Sequence, residues 1–122
     1  VIGDARPRYH AAREAAMKQA ATVIVENVNL PGYTARVDAA KYHAMREAIL
    51  QVTPATPPGM TAKEMLACLA PVLPPHLWPG GEKAGWWQKT VQLDLEAKGL
   101  LTRVSTPAPL RWYRTSPRGK SA

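Results

Sequence analysis

The chain has 122 residues, a formal net charge of +7, 46% apolar and 20% charged residues, 12 prolines and a single cysteine, Cys68. That is enough chain for one globular unit with its own core, with prolines at about twice their usual ~5% share, and a lone thiol excludes an internal disulfide framework. No run of ~18 apolar residues offers a membrane span, and His10, His43, His76 and Cys68 share no ligand spacing, so neither a membrane nor a metal or other cofactor is expected. Asp4, Arg6 and Arg8 occupy the place where an export signal would need apolar residues, and a soluble, cytoplasmic protein is expected.

Residues 1–8 show no periodicity and read as a disordered start. Residues 9–21 are Ala-rich, with Ala12, Ala15, Ala16, Met17 and Ala20 available for a small-residue face, which predicts a helix. The β-branched run at 22–28 favours a strand, closed by Asn29-Leu30-Pro31-Gly32, where Pro31 and Gly32 stand as in a type II turn. Residues 33–37 return as an irregular or extended segment, so 9–37 form an N-terminal arm of helix and strand. Asp38 is placed to cap the next helix, whose apolar face is Tyr42, Met45, Ile49 and Val52. His43 beside it reads as an ordinary surface histidine.

A Pro-rich loop at 54–59 leads to the sharpest local signal in the chain. Thr61 and Glu64 form a capping box, and Met60 and Met65 are spaced as its hydrophobic staple. The helix that follows is expected to bury Met65, Leu66, Leu69, Val72 and Leu73, to hold Cys68 as a small buried hydrophobe, and to end or kink at Pro71. The connection at 74–80 is longer than the ~3–4-residue turn of a helix-turn-helix. In the third helix of this stretch, Trp87, Val91 and Leu95 make one stripe, while Trp86, Leu93 and Ala97 fall nearly opposite. Both faces are apolar. The arm is a candidate cover for the second face, and equally a candidate for exchange between two protomers.

Lys98-Gly99 stops that helix. Residues 100–104 and 110–114 then alternate as two strands around a turn at 105–109, and 116–122 read as a flexible basic tail. Helix, helix, helix and hairpin over 38–115 predict an α+β, mainly α fold: a winged helix-turn-helix core whose β-hairpin is the wing, preceded by the N-terminal helix and strand. Trp78, Trp86, Trp87 and Trp112 read as core in a chain without Phe.

The residues from Val91 through Leu93-Asp94-Leu95-Glu96-Ala97-Lys98-Gly99-Leu100 to Arg103 resemble the recognition-helix-to-wing junction of winged-helix regulators. Asn29-Leu30-Pro31-Gly32, Val37-Asp38-Ala39-Ala40-Lys41-Tyr42 and the stretch from Pro79-Gly80-Gly81 to Trp86-Trp87 are similar to a small uncharacterised bacterial protein family. The resemblance supports a fold and carries no catalytic residue.

Residues 80–122 hold eight cations against three acids, and no acid follows Glu96. Such an excess on a wing and tail suits phosphate contacts. Nucleic-acid binding, by a transcriptional regulator or accessory factor on double-stranded DNA, is therefore the leading expectation. Lys83, Lys89, Arg103 and Arg111 would touch phosphates, Gln88 and Gln92 would meet base edges, and Arg111 or Arg114 would enter a minor groove. The alternative is a protein-interaction or homodimerisation module on the same fold. An enzyme is not expected, since there is neither G-x-S-x-G nor a phosphate-cradling glycine loop.

Overall fold

The computed structural model describes residues 21–115. The expected disordered start, all but the last residue of the helix at 9–21, and the tail at 116–122 lie outside the described residues. Within them run β1 (Thr22–Glu26), β2 (Thr34–Asp38), α1 (Ala39–Val52), α2 (Ala62–Leu69), a 3₁₀ turn (Pro79–Gly81), α3 (Ala84–Ala97), β3 (Leu101–Val104) and β4 (Arg111–Arg114). Three helices are thus combined with two antiparallel hairpins, a small α+β arrangement.

The first hairpin turns where Pro31 and Gly32 are expected to turn it. The Tyr33 N–H donates to the Leu30 carbonyl at 2.9 Å, and Gly32 holds φ at +89°, the positive value that the third position of a type II turn demands. The returning segment is a regular strand, with Val23 opposite Val37 and Val25 opposite Ala35. Alternation puts these four on one side, where Val25 is sealed and the other three pack partly against the core.

β2 runs into α1 without a loop. The Asp38 carboxylate accepts the Lys41 N–H at 2.9 Å, and Tyr42, Met45, Ala48 and Ile49 make the buried face. At the start of α2 the capping box is present in both directions, Glu64 N–H to Thr61 Oγ at 3.1 Å and Thr61 N–H to Glu64 Oε1 at 2.9 Å. Met60 also exchanges backbone hydrogen bonds of 2.9 and 2.8 Å with Trp112, adding a one-residue third strand to the second hairpin. Gly59 permits that approach, because a Cβ there would lie 2.0 Å from the Trp112 carbonyl oxygen.

α2 buries less than its composition suggests. Met65, Leu69 and, beyond the helix, Leu73 face inward, whereas Leu66, Val72 and Cys68 are exposed. The reason is geometric: only positions four apart point at α1 and α3, and Leu66 and Cys68 lie ~100° to either side of them. Cys68 is therefore a surface thiol. The long connection to α3 is packed through Trp78, which meets Trp87 edge-on at 6.2 Å.

On α3 the Trp87, Val91 and Leu95 stripe lies in the core as expected. The helix ends in a Schellman motif, with Leu100 N–H bonded to the Leu95 carbonyl, Gly99 N–H to that of Glu96, and Gly99 at φ +78°. β3 and β4 then pair with Leu101 opposite Arg114 and Arg103 opposite Trp112. Leu101, Trp78, Trp87 and Trp112 are buried; Trp86, at 58% exposure, departs from the expectation that all four tryptophans are core.

Candidate nucleic-acid interface

α3 is the axis of the site because structure is built against it from both sides. On one side stands the β1–β2 hairpin, fixed by a residue that sequence reasoning overlooks. Asp94 is fully buried, and its carboxylate accepts the Glu26 N–H at 2.8 Å and the Tyr42 hydroxyl at 2.5 Å while pairing with the Lys98 ammonium one turn on. Burial, and then the bond to Asp94, push the Tyr42 hydroxyl well above its ordinary range, so it remains a donor. Asp94 thus ties β1, α1 and α3 together. The arm expected as a candidate cover for Trp86 and Leu93 does flank them: Val25, Tyr33, Ala35 and Val37 line a cavity with Trp86, Thr90 and Leu93. Leu93 becomes half-buried, and Trp86 still projects.

On the other side, α2, α3 and the β3–β4 hairpin, with Asn29 from the turn of the first hairpin, enclose a groove of about 610 Å³, and Asn29 Oδ1 accepts from Arg103 Nη1 at 3.4 Å. Its walls carry Lys63, Gln88, Lys89, Gln92 and Arg103, its apolar lining includes Leu66, Leu93, Leu110 and Trp112, and no carboxylate lines it. Four of the seven expected contact residues, Gln88, Lys89, Gln92 and Arg103, therefore meet in one place. Lys63, which nothing in its sequence context singles out, joins them.

Their freedom differs. Gln88 is buried and donates its amide to the Ala62 carbonyl at 3.0 Å, holding α3 to the first turn of α2. Gln92 is also buried, at 5% exposure; among the described residues its amide has no hydrogen-bond partner, and it lines the groove. Lys89 is exposed at the rim. Arg103 is held by Glu96 through Nε and Nη2 at 2.9 and 3.2 Å and lies 5.8 Å from the centre of the Trp112 ring. It is shaped by the fold before any ligand arrives.

The other three stand outside the groove. Lys83 is exposed just before α3, in a left-handed conformation with φ 66°. Arg111 bonds the Pro109 carbonyl at 3.3 Å, and Arg114 donates to the Thr53 carbonyl at 2.9 Å. Among the described residues no cluster of three His, Cys, Asp or Glu side chains could hold a metal, and no helix is long and apolar enough to cross a membrane.

These elements, from the first hairpin to β4, coincide with a recognised family. Residues 22–112 match a family of unknown function (DUF6958), and the chain belongs to it. No curated protein and no solved structure matches the chain.

Proposed function

We propose that this is a nucleic-acid-binding protein of winged-helix type, acting as a bacterial regulator or accessory factor, and that the groove between α3 and the β3–β4 hairpin is its contact surface. The order α1, Met60 bridge, α2, α3 and hairpin supports the winged-helix reading, because the bridge supplies the short strand that joins the interval between the first two helices to the wing. The observation that carries the functional reading is the composition of the groove. Lys63, Lys89 and Arg103, the last paired with Glu96, line it with the carboxamides of Asn29, Gln88 and Gln92 and no acid among them, which favours an anionic ligand with hydrogen-bonding edges.

The test is a binding titration of random-sequence nucleic acid, duplex and single-stranded together, at about 50 mM salt and again at higher salt. Binding that weakens with salt, and that Lys63→Glu with Lys89→Glu abolishes, is the expected result. Binding untouched by this pair would refute the site, and absence of binding would refute the function. A second reading, a protein-interaction or homodimer surface, is favoured by one specific feature: Trp86 at 58% and Tyr33 at 47% exposure stand on the same rim of the first hairpin. Tryptophan and tyrosine in such a position are typical interface anchors. That reading predicts a sedimentation mass that Trp86→Ala changes.

A further inference from the structure

We infer that the groove takes an unpaired nucleic-acid strand, its bases entering the hollow, in preference to a duplex; this rests on the nucleic-acid reading and narrows it. Depth decides between the two. A duplex keeps its base edges inside its own grooves, so a protein that reads them has to project side chains outward into the DNA. On α3 the carboxamides do the opposite. Gln88 is 4% exposed and already bonded to Ala62, and Gln92, 5% exposed, sits recessed between α2 and the hairpin. What projects from α3 is Trp86, with one donor and no acceptor, and Lys89, which only donates.

An unpaired base fits the recess on each of its surfaces. Its flat faces suit walls of Leu66, Leu93, Leu110 and Trp112. Its edge carries donors and acceptors, and the free Gln92 amide offers both kinds of group. Its phosphates stay in water, where Lys63 and Lys89 stand at the rim, and the Arg103 guanidinium, fixed by Glu96, supplies a planar cation at the same mouth. Apolar walls with a cationic rim are the arrangement that single-strand binding calls for.

The experiment compares fluorescently labelled homopolymer strands of about twelve nucleotides with a duplex of equal length, using the full chain and fluorescence anisotropy. We expect strands to bind about tenfold or more tightly than duplex, and the log–log salt slope to lose roughly 0.7 for each lysine removed in Lys63→Ala and Lys89→Ala. Gln92→Leu should erase the difference between thymine, cytosine and adenine strands while leaving the salt slope alone. Leu110→Asp, at an exposed position on the groove mouth, should weaken strand binding without touching the core, so the prediction does not depend on Gln92→Leu folding normally. Duplex bound as tightly as strand would overturn this inference and leave the nucleic-acid reading intact. Polyglutamate bound as tightly as strand would show that charge alone acts, and would overturn the base slot. No binding to any nucleic acid would remove the broader reading as well.

Discussion

At the scale of single residues, Arg103 and Arg114 find partners within the fold for one reason. The alternation Leu101, Arg103 against Thr102, Val104, and Trp112, Arg114 against Arg111, Tyr113, is visible in the sequence, and it places Arg103 and Arg114 on the same side as Leu101 and Trp112. That side packs on the helices. Both arginines consequently find internal acceptors, Glu96 and the Thr53 carbonyl, while Arg111 lies on the outer face. Asp94 escapes notice in the sequence because an acid between two leucines, four residues before Lys98, reads as a solvated surface pair, and its other two partners, Glu26 and Tyr42, come from positions that no local pattern connects. Its bond to Tyr42 has a consequence for pH. The Tyr42 hydroxyl titrates higher in the folded chain than its ordinary value of 10.0, so the folded state keeps a proton that the unfolded state releases. Tyr42's contribution to stability should thus be complete below pH 10 and fall as pH rises above it. Chemical unfolding at stepped alkaline pH should show this slope, and Tyr42→Phe should remove Tyr42's contribution to it. An unchanged slope in that variant would place the alkaline loss elsewhere.

At the scale of elements, what is legible in the sequence is what neighbouring residues decide. The Pro31-Gly32 turn, the Asp38 cap, the capping box at Thr61 and Glu64, and the Gly99 stop each depend on a few adjacent side chains, and each stands where its residues place it. Burial around α2 is not legible, since composition marks Leu66, Val72 and Cys68 as apolar but only the neighbours of a two-turn helix decide which of them are covered. The attachment of the first hairpin is another such case. It hangs on α3 through Asp94 and the Val25 contact, with the Glu26 N–H as its one backbone donor to that carboxylate. Asp94→Ala would strand a buried hydroxyl and a backbone N–H together, with Lys98 free to turn outward to solvent. A loss of ~3–5 kcal/mol is expected in urea unfolding, and hydrogen exchange should quicken first at residues 22–38. Exchange that quickened uniformly would mean that the hairpin has no separate dependence on this tie.

At the scale of the whole molecule, the two hairpins stand against α3 and share Leu93, with Asn29 of the first reaching the groove of the second. The first leaves an apolar rim at Trp86 and Tyr33, and the second leaves a cationic, amide-lined groove. Sequence reasoning comes near this arrangement when it finds α3 apolar on two opposite faces, and it names four residues of the groove. It takes Gln88 and Gln92 for projecting side chains because spacing on a helix fixes direction and says nothing of how far neighbouring elements rise around it. The proposed function depends on which side of α3 receives the ligand, and side-chain N–H signals report on both at once. In a ¹H–¹⁵N titration with nucleic acid, the Gln92 amide, the Trp112 indole N–H and the Lys89 backbone should shift together while the Trp86 indole stays in place. Movement of the Trp86 indole with a silent Gln92 and Trp112 would contradict the proposed site and put the binding surface on the apolar rim.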